Sequence, residues 1–233
     1  MNHIEVRAVT KTFDRHTVLD NVSLSVAKGR CIGLVGANGS GKTMLMRCIC
    51  GFVLPDKGEV YVDGKQIGKD VDFSPCTGIV IEAPGFLPVY SGLTNLAILM
   101  AYCTKKKECD LGAIMRSVGL EPNDRRPLRK YSMGMRQRLG IAQAIMDAPD
   151  ILILDEPFNS LDKDGVKEIA ALLLSLKHQG KTMILAGHGD GNLVAENEQR
   201  IENRNPAVIT VIVSIDIFRM ITKTTEKVSE NGL

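Results

Sequence analysis

The feature that most limits how this chain can fold is a glycine-rich octapeptide, GANGSGKT, at residues 36–43. It matches the pattern G-x-x-x-x-G-K-[ST] at every fixed position. A short apolar run (31–35) precedes it, and a segment of helical character (42–50) follows it. Glycines in such a loop allow consecutive backbone N–H groups to curl around phosphate oxygens, at the positive end of the following helix. The context favours a phosphate-binding loop over an ordinary glycine-rich turn with a surface lysine.

Two pairs of polar residues are candidates for the chemistry at this loop. Lys42 can neutralise the β- and γ-phosphates of a nucleotide, and the Thr43 hydroxyl can ligate Mg²⁺. Asp155 and Glu156 follow the apolar run 151–154, so we expect them at the carboxyl edge of a parallel sheet, where α/β proteins bind ligands. There Asp155 can hold the metal while Glu156 polarises the attacking water. Either acid alone could be a solvated strand end, but the phosphate loop favours the catalytic interpretation.

The N-terminal part of the chain has the pattern of antiparallel strands. Apolar and polar residues alternate over 4–12 and again over 18–26, as half-buried strands require. The dipeptide Asp63-Gly64 suits the turn of a hairpin over 59–65. We therefore predict an antiparallel β lobe.

Helical patterns dominate from the middle of the chain onward. The segment 93–120 has helical character, with Thr94 and Asp110 as possible caps. From Ser132 to Ala186, helix, strand, helix and strand follow one another. Strands that alternate with helices predict a parallel sheet.

A segment between the two candidate sites points to a known family. Residues 131–138 read YSMGMRQR. This is similar to the signature sequence of the ABC ATPases, which it matches at Ser132 and Gly134 and from which it departs at Met135. The chain resembles that family over roughly residues 2–188.

The resemblance and the patterns together predict one nucleotide-binding domain over residues 1–233. Its fold class is α/β: a phosphate-loop NTPase core with a mostly parallel sheet, an N-terminal antiparallel β lobe, and a helical insert at about 90–145 that carries the signature motif. The segment from about 189 to 233 is atypical for the family, because it is polar and irregular up to Pro206 and then has the pattern of a strand over 208–222.

The resemblance implies further site residues, each with a structural alternative. Phe13 stands where the family stacks an aromatic ring on adenine, but it could be a core strand residue. Asp162 belongs to a loop that crosses the dimer in the family, but it could cap the following helix. His188 fits the catalytic switch histidine, although a lone histidine after a strand is usually structural. The residues implied to contact ATP are Phe13, Gly36, Asn38, Gly39, Ser40, Gly41, Lys42, Thr43, Ser132, Gly134 and Asp162.

Glu82 departs from the family pattern at a position near the metal. The usual residue there is a glutamine that touches Mg²⁺ and communicates with the membrane subunit. A carboxylate adds negative charge and could bind the metal directly, beside Thr43 and Asp155; the alternative is an ordinary exposed glutamate. Glu82, the following Pro-Gly-Phe and the signature resemble the ATPases of bacitracin-resistance and lantibiotic-immunity exporters.

The resemblance implies an enzyme that hydrolyses ATP, with ATP and Mg²⁺ as cofactors. It implies a second ATPase subunit, identical or different, and a separate transmembrane permease that exports an antimicrobial peptide, an antibiotic or a lipid-like cargo. The 29 basic and 27 acidic residues nearly balance, so no nucleic acid is expected as a partner. Two alternatives stay open: a soluble ABC-type ATPase that acts on ribosomes or DNA, and a nucleotide-binding regulator that does not hydrolyse ATP.

The sequence also bears on location and redox state. The first residues, MNHIE, are not a basic stretch leading into an apolar run, and the longest apolar stretch, 207–218, is interrupted by polar residues. We therefore expect a cytoplasmic protein, and the resemblance implies that it is peripheral on the inner face of the cell membrane. The six cysteines lack C-x-x-C spacing, so we expect free thiols that act as small core residues.

Overall fold

Helices and strands alternate over residues 133–187, as predicted for the segment that begins at Ser132. The structure, a computed structural model, describes residues 2–82, 85–103 and 109–187 and the backbone of 198–201 and 209–213. In chain order the elements are β1 (Asn2–Phe13), β2 (His16–Ala27), β3 (Cys31–Val35), α1 (Lys42–Cys50), β4 (Lys57–Val62), β5 (Lys65–Gln66), β6 (Thr77–Val80), α2 (Gly92–Met100), α3 (Leu111–Ser117), α4 (Met133–Ile145), β7 (Ile151–Asp155), α5 (Lys163–His178), β8 (Thr182–Gly187), β9 (Glu198–Ile201) and β10 (Ile209–Val213).

The first lobe is the predicted antiparallel sheet. Its strand order is β2-β1-β4-β5, and β1 pairs antiparallel with both β2 and β4. One face of β1 and β2 is buried, as the alternation of apolar and polar residues requires. The apolar residues of this face pack around α1, which carries the end of the octapeptide into the core.

The second sheet has six strands in the order β6-β7-β8-β3-β10-β9. The first four are parallel, and β10 and β9 close the sheet with antiparallel pairing. Parallel pairing aligns Val35 with Gly187 and Asp155 with Ala186. The carboxyl ends of β3, β7 and β8 therefore meet at one edge, which is the edge where the sequence places its candidate site.

One detail of the helical region differs from the sequence-based expectation. The segment 93–120 is helical as predicted and contains α2 and α3. Ser91 rather than Thr94 caps α2, because its Oγ accepts a hydrogen bond from the Thr94 N–H at 3.2 Å. Asp110 caps α3 as predicted, accepting from the Ala113 N–H at 3.0 Å.

The predictions for the last part of the chain are only partly confirmed. A strand lies at Ile209–Val213, within the predicted strand 208–222, but the stretch predicted to be irregular contains the strand β9. Backbone pairing with β10 forms β9, so its polar composition is no obstacle.

The described thiols are free, and three of them lie in the core as predicted. Burial raises the pKa of Cys31 and of Cys50 to about 12 and that of Cys48 to about 11. Cys76, in contrast, is exposed.

No helix in the described ranges is both long enough and apolar enough to pass through a lipid bilayer.

Gly78 of β6 lies close against the helical insert. A Cβ on this residue would lie 1.9 Å from the Ala144 carbonyl oxygen of α4. We expect Gly78→Ala to destabilise the fold by about 3 kcal/mol, because the backbone of β6 or α4 must shift. Thermal unfolding should show a melting temperature lower by roughly 6–12 °C. Gly85→Ala is the control, since its Cβ would meet nothing within 4 Å; equal melting temperatures for the two variants would contradict the prediction.

Candidate functional site

The octapeptide forms the predicted loop between β3 and α1. Gly39 and Gly41 have φ angles of +77° and +98°, which glycine adopts without the strain that a side chain would cause. Gly41 is the N-cap of α1, and no side chain caps the helix. Free N–H groups at the first turn of a helix bind anions well.

Ser40 supplies an independent sign that the loop is built for a ligand. The residue is 1% exposed, yet its Oγ has no hydrogen-bond partner among the described residues. An unpaired buried hydroxyl is costly, and a phosphate oxygen would satisfy it. The Cβ position of Gly39 faces open space, so the neighbouring backbone is accessible. These features of the loop fit a phosphate group.

Lys42 lies folded into the loop. Its Nζ donates to the carbonyl oxygens of Gly36 at 2.7 Å and Ala37 at 3.0 Å, and the residue is 6% exposed. Burial lowers the pKa of the ammonium, and the nearby negative charges of Asp155 and Glu156 oppose that shift. The loop therefore holds a cation beside its N–H groups, where phosphate charge would be neutralised.

Thr43 and Asp155 meet across the site. The Thr43 hydroxyl donates to Asp155 Oδ2 at 2.8 Å. Burial raises the pKa of the Asp155 carboxyl, and the Thr43 hydrogen bond opposes this shift. A hydroxyl and a carboxylate at hydrogen-bond distance form the kind of small oxygen donor set that, completed by water and phosphate oxygens, suits Mg²⁺.

Glu156 is held at the end of β7 in an unusual backbone conformation. Its φ of +48° is uncommon outside glycine. Its N–H donates to the Ala186 carbonyl at 3.0 Å, and its carboxylate accepts from Asn159 Nδ2 at 3.2 Å. Gln137 Nε2 donates to the Glu156 carbonyl at 3.1 Å. Sequence reasoning missed Gln137, although it belongs to the signature segment.

The signature segment opens α4 and packs on the 159–162 loop. Ser132 is the N-cap, and its Oγ accepts from the Met135 N–H at 3.1 Å. A Cβ on Gly134 would lie 2.7 Å from the Ser160 carbonyl oxygen, so this approach requires glycine. Asp162 caps α5 by accepting from the Gly165 N–H at 2.8 Å, which is the structural alternative that the sequence left open.

Three other predicted site residues lie away from the phosphate loop or outside the described part of the chain. Phe13 is 43% exposed at the end of β1, with the Lys11 ammonium 5.2 Å from its ring centroid, so the core interpretation is wrong. The exposed Glu82 pairs with Arg47 of α1 at 2.5 Å, and its metal ligation stays a prediction. His188 lies outside the described residues.

A groove of about 570 Å³ runs beside β6, at the edge of the parallel sheet. Phe52, Ile79, Glu82, Tyr102 and Gln143 are among its lining residues. The side chains of Phe52 and Tyr102 are 53% and 86% exposed. Exposed aromatic side chains are enriched at protein interfaces relative to the rest of the surface.

Comparison with known proteins decides the family. Residues 19–159, more than half of the chain, match the family profile described as ABC transporter. The chain belongs to this family.

Several ABC proteins are similar to this chain in sequence. The chain is 42% identical to the uncharacterised ABC transporter ATP-binding protein YybJ of Bacillus subtilis, over 82% of this chain and 88% of that protein. It is 37% identical to the bacitracin transport ATP-binding protein BcrA of Enterococcus faecalis, over 79% and 61%. It is 31% identical to the lantibiotic transport ATP-binding protein SrtF of Streptococcus pyogenes, over 79% and 80%. The chain thus spans less than two thirds of BcrA.

Solved ABC structures share the fold. A dimer of the ATP-binding cassette MJ0796 in a post-hydrolysis state, bound to ADP and Pi, has a TM-score of 0.70 at 24% identity, over 80% of this chain and 88% of that one. The protein cbiO1 of Clostridium perfringens, part of the ABC transporter complex cbiONQ, has a TM-score of 0.67 at 25% identity, over 81% and 79%. The predicted fold class of this ABC chain is confirmed.

Proposed function

We propose that this chain is the ATP-hydrolysing subunit of an ABC exporter. The observation that supports it most is that Lys42, Thr43, Asp155 and Glu156 meet where β3 and β7 end. A cation, a hydroxyl–carboxylate pair and a second carboxylate are the parts that phosphoryl transfer to water needs. Hydrolysis is general in the family, and a structural relative carries its products, ADP and Pi.

Each of these residues has a role in the proposed reaction. Lys42 exchanges its carbonyl partners for the β- and γ-phosphates, and the Ser40 hydroxyl and the loop N–H groups donate hydrogen bonds to the remaining phosphate oxygens. Thr43 and Asp155 would hold Mg²⁺, which would supply positive charge to the phosphates. Glu156 orients and polarises the attacking water.

A second ATPase subunit completes the site in this proposal. Ser132 and Gly134 open α4, so they can present a helix N-terminus to nucleotide on the phosphate loop of the partner. Asp162 and the 159–162 loop lie against that segment, Phe13 stacks on adenine, and His188 acts as the switch residue. The dimeric form of MJ0796 supports this arrangement.

A separate transmembrane permease is the proposed mechanical partner. The aromatic groove beside β6 gives that permease a surface to bind, and Glu82 connects the groove with Arg47 on the phosphate-loop helix. The names of BcrA and SrtF support the export of bacitracin-like or lantibiotic-like cargo. Binding to the permease would place the chain on the inner face of the cell membrane.

Tyr102 is the best residue for testing the groove. We expect the tagged chain to copurify with a polytopic permease from detergent-solubilised membranes, and Tyr102→Ala to reduce the recovered permease roughly tenfold or more, because exposed aromatic anchors contribute strongly to interfaces. Tyr61→Ala, an equal truncation in the antiparallel sheet, is the control.

Two results would count against this part of the proposal. Equal permease recovery with Tyr102→Ala would exclude the groove as the contact. Active protein found only in the soluble fraction, with ribosomes or DNA, would favour the alternative class of ABC ATPase.

A further inference from the structure

Gln137 connects the signature helix with the proposed catalytic carboxylate. It is the fifth residue of α4, and its side-chain amide donates to the backbone carbonyl of Glu156 at 3.1 Å. The two residues are 19 positions apart in sequence. The bond therefore depends on how α4 packs against the end of β7, and it is not a local turn contact.

The backbone of Glu156 needs such support. A φ of +48° is uncommon for a residue with a side chain, and it persists only where surrounding contacts hold it. Two of these contacts come from neighbouring elements: the Ala186 carbonyl of β8 and the Asn159 N–H of the following loop, each at 3.0 Å. Gln137 adds a contact from α4. The direction of the carboxylate follows from this backbone, so a donor to the Glu156 carbonyl also acts on the carboxylate.

The same helix begins at the segment proposed to contact the partner subunit's nucleotide. Ser132 and Gln137 are five residues apart, which is roughly 7.5 Å along a helix. Between them, the tight approach of Gly134 to the Ser160 carbonyl fixes α4 to the loop that contains Asn159, and the Asn159 amide in turn contacts the Glu156 carboxylate. A shift of α4 would therefore change the position of Glu156 through two sets of contacts, one made by Gln137 and one made by the loop that contains Asn159.

We propose that Gln137 is a positioning residue that sets the Glu156 carboxylate from the signature helix, so that the start of α4 and the water-activating group move together. The inference rests on the proposed function, since it assigns a partner to Glu156 in that reaction. In the proposed dimer, α4 contacts the nucleotide on the partner's phosphate loop. Gln137 would connect that helix with Glu156, which acts on the nucleotide bound by its own chain.

The test is Gln137→Met, which keeps the length of the side chain and removes the N–H donor. We expect kcat for ATP hydrolysis to fall roughly tenfold, equivalent to about 1.4 kcal/mol, with KM and ATP affinity unchanged. The residue does not contact the phosphate loop in the described contacts, so a kcat effect without a KM effect separates positioning from binding. Gln179→Met, the same change at the exposed end of α5, should keep the wild-type kcat.

A double-mutant cycle distinguishes positioning from general damage. In single-turnover measurements, Gln137→Met should cause no further slowing in the Glu156→Gln background, because it acts through Glu156. A merely structural role would slow both backgrounds equally and lower the melting temperature. If Gln137→Met does not fold, Gln137→Leu gives the same comparison, since it also removes the N–H donor and adds no charge.

The outcomes separate this inference from the proposed function. Wild-type kcat in Gln137→Met, a change in KM alone, or additive effects in the cycle would overturn the role of Gln137 only. Wild-type hydrolysis in Glu156→Gln itself would overturn the catalytic assignment on which the role depends.

Discussion

Replacing Glu156 by glutamine is expected to slow ATP hydrolysis at least about 100-fold while leaving ATP binding intact. Glutamine keeps the size of the side chain and can still accept from Asn159, but it cannot polarise water as a carboxylate does. The phosphate and metal contacts of Lys42, Thr43 and Asp155 remain. The ATP-bound dimer should then persist, so light scattering should show a doubled mass with ATP and not with ADP.

A surface glutamate provides the matched control. Glu59 is exposed on β4, where it accepts from the Tyr61 hydroxyl at 3.0 Å. Glu59→Gln should release phosphate at the wild-type rate. Equal rates for Glu156→Gln and the wild type would remove Glu156 from the catalytic role and favour a different water-positioning group.

Replacing Lys42 by alanine is expected to weaken ATP binding about 100-fold, which corresponds to about 2.7 kcal/mol. The ammonium is a charge-assisted donor, and such bonds contribute about 1.5–3 kcal/mol each. Its loss also removes a positive charge that offsets Asp155 and Glu156 beside the phosphates. Titration with a fluorescent ATP analogue measures the affinity directly.

The Lys42 result requires a check on folding, because Lys42 also bonds to Gly36 and Ala37 in the nucleotide-free loop. Thermal unfolding of Lys42→Ala without nucleotide separates a lost ligand contact from a damaged loop. Lys57→Ala, at an exposed position of β4, is the charge-matched control. Unchanged ATP affinity in Lys42→Ala would show that the lysine does not bind phosphate.

Local pattern predicted the elements around the phosphate loop well. The bounds of β3 and α1 are those expected from residues 31–35 and 42–50. The apolar run, the glycine cluster and Gly51, which ends the helix, are all local signals. β6 was not predicted. It has only four residues, and parallel pairing with β7 defines it. The polar strand β9 likewise forms by pairing with β10, and the local sequence of β9 carries no signal of that pairing.

The site shows the same division between local and long-range information. The motifs and the sheet rule place Thr43 near Asp155, and the structure brings them to 2.8 Å. The contact of Gln137 with Glu156 could not be predicted, because it depends on the angle at which α4 crosses the end of β7. Glu82 differs from Thr43 and Asp155. The resemblance predicts that it binds the metal, whereas in the structure its carboxylate forms a salt bridge with Arg47.

The position of β3 in its sheet has a consequence for folding during synthesis. This strand leads into the phosphate loop and emerges early from the ribosome, but its neighbours are late: Val35 pairs with Gly187 on one side and with Thr210 on the other. Until those segments are made, both edges of an apolar strand stay unpaired, which favours association with other chains. Nucleotide can therefore stabilise the sheet around the phosphate loop only after β8 and β10 have been made.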